Sequence, residues 1–184
     1  MAVRLPVPDA LEVTISPMRR RHLRAVQRIE QQVYPRPWSM GLFMSELGMG
    51  ASRVYLVARV DGAVVGYGGL MLVTGDGHVT TLAVEPAWHR HQLGTRILLA
   101  LVREAIRRGA EHLTLEVRAS NEAAQSLYRA FGFVPAGVRK GYYAETKEDA
   151  IVMWANDAAQ PAYRDRLSRL EAGLRGSTIH EERD

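Results

Sequence analysis

No cysteine occurs among the 184 residues. That excludes disulfide frameworks, thiolate metal sites, iron–sulfur clusters and a cysteine nucleophile together. Long apolar runs are missing too. None is longer than Ile97 to Val102, which is far short of a bilayer span. Met1 to Asp9 shows no basic segment followed by an apolar one, so no secretory signal is expected and a cytoplasmic location is the default. Charge of one sign is not in marked excess: 24 Lys+Arg against 20 Asp+Glu leave a formal +4. The runs Arg19-Arg20-Arg21 and His89-Arg90-His91 are not interleaved with aromatics in the manner of a single-strand platform. Neither a nucleic acid nor a membrane is therefore expected as a partner. The six histidines (His22, His78, His89, His91, His112, His180) fall into no metal-ligand spacing with nearby carboxylates, so no metal is expected.

What is present is an ordinary globular balance, 47% hydrophobic and 24% charged residues. The length suits one domain with a sizeable core. Residues 1–12, broken by Pro6 and Pro8, read as a flexible leader. A strand-like Glu12-Val13-Thr14-Ile15 follows, and Ser16-Pro17 reads as an N-cap with proline at the first helical position. Leu23, Val26, Ile29 and Val33 recur at helical spacing, which predicts a helix from about Pro17 to Val33. Trp38-Ser39 opens a second, short helix carrying Leu42, Phe43 and Leu47.

The middle is β-rich. Val54 to Val60 and Ala63 to Val73 are strands joined by an Asp61-Gly62 hairpin turn, and His78 to Val84 is a third. A periodic helix, Thr95 to Arg108, stops at Gly109. Leu113 to Val117 alternates as a strand. Asn121 caps a helix that Gly132 ends, and strands near Gly137–Tyr143 and Ala150–Trp154 close the domain. The order β-α-α-β-β-β-α-β-α-β-β predicts an α/β (mixed α+β) fold, with a mixed, mostly antiparallel sheet and helices on both faces. One domain is expected over 13–155. A tail, 156–184, contains an amphipathic helix over about 161–175, striped by Tyr163, Leu167, Leu170 and Leu174. That stripe either docks on the domain or meets a partner chain. A monomer or weak homodimer is the expected state.

Val84 to Thr95 joins a strand to a helix and presents backbone N–H groups at a helix N-terminus, where the macrodipole also favours an anion. A pyrophosphate is the ligand best matched to it, with His89, Arg90 and His91 alongside; a plain connecting loop is the commoner use of such a segment. Here the sequence resembles motif A of the GNAT acetyltransferases, a loop of pattern Gln/Arg-x-x-Gly-x-Gly/Ala. Its six positions are His89-Arg90-His91-Gln92-Leu93-Gly94. Two depart from the pattern: His89 replaces Gln or Arg, and Gln92 replaces the first glycine. Gln92 carries a Cβ where glycine permits close approach or positive φ, which bears on coenzyme affinity more than on the place of the site.

A more specific likeness lies downstream. Leu115 to Ala124, then Leu127-Tyr128 and Gly132-Phe133, resemble the RimI branch of that superfamily. So do Arg139-x-x-Tyr142-Tyr143, Glu148 to Met153, Ile29-Glu30, and Pro37-Trp38-Ser39 with Phe43. Together these span roughly Thr14 to Trp154.

The resemblance implies a GNAT-like sheet with splayed central strands, acetyl-coenzyme A as co-substrate, and acetylation of a protein α-amine. The branch's named substrate is the N-terminal alanine of the eighteenth small-subunit ribosomal protein. Carried over position by position, Glu116 is the proton acceptor and Tyr128 the proton donor. Leu82, Ala83 and Val84 run along the pantetheine arm, His89 to Thr95 (with Leu93 and Gly94) form the pyrophosphate loop, and Asn121 touches the coenzyme. Trp38, Tyr142 and Tyr143 are candidate walls of the peptide groove, and Glu30 a candidate contact for a cationic second residue.

The residue types suit the reaction. An α-amine has a reference pKa of about 7.7–8.0 against about 10.4 for lysine, so one carboxylate suffices to accept its proton. The oxyanion needs a donor, which the backbone N–H of Leu82 or Val84 would provide if the two strands part. Blander readings exist for each residue: Glu116 as a surface ion-pair partner of Arg118, Tyr128 and Trp38 as core aromatics, Asn121 as a helix cap. Three other functions compete with the leading one. They are a GNAT enzyme acting on another N-terminus, a lysine or a small amine; a non-catalytic acyl-coenzyme A binding module; and an interaction protein working through the 161–175 helix.

Overall fold

Alternation along the central strands divides the core in two. In β2 (Arg53–Val60), Val54 and Ala58 face one side of the sheet while Tyr55 and Val57 face the other. The adjacent residues Val64 and Val65 of β3 (Ala63–Val73) split in the same way. A helix layer covers each side, because both sets are apolar and neither can face water. The computed structural model describes residues 11–182.

Chain order is β1 (Glu12–Pro17), α1 (Leu23–Val33), α2 (Met40–Gly48), β2, β3, β4 (Asp76–Val84), α3 (Leu93–Arg107), β5 (His112–Arg118), α4 (Glu122–Ala130), β6 (Val134–Tyr143), β7 (Glu148–Ala155), α5 (Pro161–Ala172) and β8 (Ser177–His180). Short 3-10 turns precede α1 and α3. The eight strands form one sheet in the order β6-β7-β5-β4-β3-β2-β1-β8. Only β4/β5 and β1/β8 pair in parallel. The expected mixed, mostly antiparallel sheet with helices on both faces is what forms.

Helices α1 and α2 bury Leu23, Val26, Ile29 and Phe43 on one side, and α3 buries Ile97, Leu98, Leu101 and Val102 on the other. Close approach of α3 to β3 requires glycine there. A Cβ on Gly68 would lie 2.8 Å from methyl carbons of both Ile97 and Leu101. The Asp61-Gly62 turn takes positive φ at both residues, 48° and 80°, as a two-residue hairpin requires.

Three expectations need correction. Ser16 and Pro17 do not start a helix: they pair with Val57 and Leu56, and the Met18 N–H donates to the Tyr55 carbonyl at 2.8 Å. The strand continues because its buried residues Val13 and Ile15 already commit it to the sheet, and helix α1 begins only at Leu23. Of the expected leader 1–12, residues 1–10 lie outside the described residues; Leu11 is buried and Glu12 opens β1. Nor do residues 156–182 form a separate tail. Tyr163 and Leu167 are buried in the main core, Leu170 and Leu174 pack against it, and the Tyr163 hydroxyl donates to the Phe131 carbonyl at 2.7 Å. The apolar stripe is thus used on this domain. After it comes β8, which the sequence reading did not foresee, pairing in parallel with β1.

Candidate functional site

Strands β4 and β5 start as a pair and then part. Asp76 to Val79 align with His112 to Leu115, and beyond Val79 and Leu115 the two strands no longer pair. The parting opens a cavity of about 590 Å³. Thr80, Thr81 and Leu82 line it from β4, and Glu116, Val117 and Arg118 from β5.

Strand alternation decides which backbone groups face the gap. The Glu85 N–H donates to the Val65 carbonyl at 2.8 Å, so residue 85 faces β3. Residue 83 then faces β3 as well, while Leu82 and Val84 point to the β5 side. The Leu82 carbonyl accordingly accepts from the Tyr34 hydroxyl at 2.9 Å instead of from a strand. Its N–H points the same way, toward the cavity.

Glu116 sits at the fork with only 13% of its side chain exposed. Its two carboxylate oxygens have different partners: His78 Nε2 lies 3.0 Å from Oε2, and an Arg139 guanidinium nitrogen 3.4 Å from Oε1. The alternative partner Arg118 is engaged elsewhere. It pairs with Glu145 at 2.7 Å and Glu148 at 3.5 Å, and lies 3.9 Å over the Tyr143 ring. Tyr128, on α4, lines the same cavity while its ring packs edge-on against Phe133 at 5.9 Å. Burial, with Tyr34 and Tyr143 as lesser causes, raises the pKa of its phenol above the usual tyrosine range.

The remaining expected residues divide into two groups. Asn121, Trp38, Tyr142 and Tyr143 line the cavity. Asn121 is also a helix cap, its Oδ1 accepting from the Ala124 N–H at 3.1 Å. Trp38 packs on Phe43 at 5.3 Å, and Tyr142 and Tyr143 meet edge-on at 5.1 Å. Burial pushes the Tyr143 phenol up to about 12. Glu30 is buried on α1, where Oε1 accepts the Trp38 N–H at 2.9 Å. Its other oxygen finds no partner among the described residues, and burial pushes its pKa up to about 6.

The second group, Ala83, Val84 and His89 to Thr95, lies outside the cavity lining. The loop turns left-handed at two non-glycine residues, Arg90 (φ 65°) and Gln92 (φ 59°). Gln92 is the residue before α3 and makes no side-chain cap. The first-turn N–H groups of Leu93, Gly94 and Thr95 therefore have neither an intrahelical acceptor nor a side-chain one from Gln92. His89 and His91 are occupied locally, with His89 Nε2 3.1 Å from the Val84 carbonyl and His91 Nδ1 2.7 Å from the His89 carbonyl.

Sequence reasoning missed Tyr34 and His78. Both reach the cavity through strand pairing and helix packing, and neither belongs to a local pattern. Among the described residues, no group of three or more His, Cys, Asp or Glu is placed to hold a metal ion. No described helix is long and apolar enough to cross a membrane.

Comparison with known proteins bears on this geometry. A family model described as the acetyltransferase (GNAT) family matches residues 23–133. The chain is 37% identical over 142 residues to the ribosomal protein bS18-alanine N-acetyltransferase of Escherichia coli, covering 76% of this chain and 95% of that protein. It is 33% identical over 160 residues to the N-alpha-acetyltransferase RimI of Mycobacterium tuberculosis, covering 84% of this chain and 98% of that one. Among solved structures, the Escherichia coli ribosomal-protein-S18-alanine N-acetyltransferase superposes with a TM-score of 0.72 at 34% identity, covering 79% of this chain and 94% of that one.

Proposed function

Since the chain belongs to the acetyltransferase (GNAT) family, we propose that it transfers an acetyl group from acetyl-coenzyme A to a protein N-terminal α-amine. The acceptor that fits best is the N-terminal alanine of ribosomal protein bS18, the substrate named for its Escherichia coli relative. A single observation carries the catalytic assignment: Glu116 and Tyr128 line one cavity at the point where β4 and β5 part, with Leu82 on the facing strand.

In this reading the acetyl carbon lies in the gap. The neutral amine nitrogen attacks the thioester carbon, a C–N bond forms, and the oxygen gathers negative charge to which the Leu82 N–H donates a hydrogen bond. The nitrogen sheds its proton to Glu116. The C–S bond then breaks and the thiolate takes a proton from Tyr128, leaving an amide and a free thiol. Carboxyl and phenolate return to their starting states by proton exchange with solvent. His78 and Arg139 hold the Glu116 carboxylate in place through both oxygens.

The coenzyme's diphosphate fits the loop over residues 89–95. Gln92 takes a left-handed backbone (φ 59°), the conformation glycine adopts most readily, so a residue with a Cβ is accommodated at this position of the loop. The presence of both Glu116 and Tyr128 at the cavity argues against a non-catalytic binding module. Trp38, Tyr142 and Tyr143 supply flat walls for an extended peptide.

The test incubates the protein with acetyl-coenzyme A and one of three acceptors: an Ala-starting peptide, the same peptide with its α-amine blocked and a lysine present, and a small polyamine. Mass spectrometry should place one acetyl group on the α-amine of the first alone. Modification of the lysine or the polyamine without the α-amine would reassign the acceptor.

A further inference from the structure

Helix α3 starts at the loop assigned to the diphosphate, and the same face of that helix grips the chain's C-terminal segment. Gln92 uses both ends of its side-chain amide on backbone more than 80 positions away: Nε2 donates to the Gly173 carbonyl at 3.1 Å, and Oε1 accepts the Arg175 N–H at 2.9 Å. The Gly173 carbonyl is one of those left over at the end of α5. One turn further along α3, Arg96 is 2% exposed, and its guanidinium donates to the carbonyls of Arg175 and Ser177 and to the Thr178 hydroxyl. Arg175 is thus held at its N–H by Gln92 and at its carbonyl by Arg96.

The segment being gripped is itself anchored. The Ser177 N–H donates to the Leu11 carbonyl at 2.9 Å, β8 pairs with β1, and Arg103 forms a two-pronged pair with Glu171 at 2.7 Å. Gly176 passes so close to the residue preceding β1 that a Cβ there would collide with the Leu11 backbone.

A φ of 59° is unfavourable for a residue with a Cβ. Glycine would adopt that conformation freely but would anchor nothing. We infer that Gln92 is a positioning residue: it ties the diphosphate loop to the α5–β8 segment and so fixes the backbone that presents the N–H groups of residues 93–95. The segment beyond residue 155 then sets coenzyme affinity without touching the coenzyme, by ordering the loop before the ligand arrives. This rests on the reading of residues 89–95 as the diphosphate loop.

The experiment uses the full chain with Gln92→Ala, Gln92→Gly and Arg175→Pro, the last removing the N–H that Gln92 accepts while leaving the loop's own residues unchanged. Coenzyme A binding is measured by calorimetry. Steady-state constants are measured with acetyl-coenzyme A and with S-acetylpantetheine, a donor that has the thioester but no diphosphate. Losing both hydrogen bonds in Gln92→Ala should weaken coenzyme A binding and raise KM for acetyl-coenzyme A by roughly tenfold, with kcat changed less than about twofold. Arg175→Pro should move KM in the same direction by about threefold, and its constants with S-acetylpantetheine should match the parent's. A general loss of structure would instead depress kcat and affect both donors alike, which would overturn the inference. So would Gln92→Gly binding coenzyme A as tightly as the parent, since freedom from strain would then matter and the anchor would not. Failure of the parent itself to bind coenzyme A would remove the loop reading. A parent that binds, with variants that bind equally well, removes the anchor alone.

Discussion

Replacing Glu30 by glutamine should make stability less sensitive to pH, and the size of the change follows from the carboxyl's surroundings. Glu30 is 2% exposed, with one oxygen on the Trp38 N–H and the other unpartnered among the described residues. Burial raises its pKa from the ordinary 4.5 to about 6, the Trp38 hydrogen bond opposing in part. A carboxyl raised on folding favours the native state while protonated. Its contribution is fully present below about pH 4.5 and is lost as pH rises through about 6. The shift corresponds to roughly 2 kcal/mol of stability lost by pH 7. Glutamine keeps an oxygen for the Trp38 N–H but puts an amide donor where the unpaired oxygen was, at a cost of order 1 kcal/mol that does not vary with pH. Urea unfolding of parent and Glu30→Gln at intervals from pH 4.5 to 7.5 therefore reads the difference between the curves, not either curve alone. The variant should gain on the parent by about 2 kcal/mol across that window, most steeply between 4.5 and 6. A difference that stays flat, or slopes the other way, would refute the argument.

Glu116→Gln should lower kcat by about 10²- to 10⁴-fold, the usual worth of a proton acceptor, with coenzyme A affinity within twofold by calorimetry; near-normal turnover would remove Glu116 from the reaction. Tyr128→Phe should lower kcat with little change in KM for the peptide, and unchanged kcat would leave Tyr128 as a packing residue. Gly68→Ala puts a methyl 2.8 Å from two side chains of α3, which should cost about 1–3 kcal/mol and lower Tm by roughly 3–10 °C in a thermal melt. Tyr163→Phe strands the buried Phe131 carbonyl that the hydroxyl serves at 2.7 Å, and should cost about 1–3 kcal/mol in urea unfolding; an unchanged midpoint would show that α5 contributes no such bond to the core.

How much could be read beforehand depended on how local the signal was. Ser39 and Asn121 each cap a helix through a side chain that accepts an N–H three residues on, a signal contained in four residues. Asp61-Gly62 is likewise self-contained. Ser16-Pro17 carries an equally local helix signal, yet strand pairing with Val57 and Leu56 overrides it. Strand β8 had almost no signal: four residues, one large apolar side chain among them, paired with a strand some 165 positions earlier. In the site, Glu116 and Tyr128 were legible because both sit inside a recognisable motif. Tyr34 and His78 were not, since only the sheet and α1 bring them to the cavity. Gln92 was visible as a departure from pattern, but its hydrogen bonds to residues 173 and 175 depend on the folded C-terminal segment.

The parting of β4 from β5 raises a question that the cavity's own residues answer. Strand backbone without a neighbouring strand leaves donors and acceptors that need partners, and leaving one buried and unpaired costs about 1–3 kcal/mol. The Leu82 carbonyl is satisfied from outside the sheet, by the Tyr34 phenol at the end of α1. A side chain there does what a strand would otherwise do, and the gap can stay open. The Leu82 N–H lies on the same side, past the point where pairing with β5 ends, and has no acceptor from that strand. It is thus a donor aimed into a cavity that also holds a carboxylate and a phenol. A thioester oxygen, gathering negative charge as the carbon is attacked, is the kind of acceptor such a group is suited to meet. Under the proposed function, the splay keeps one backbone donor free for the reaction.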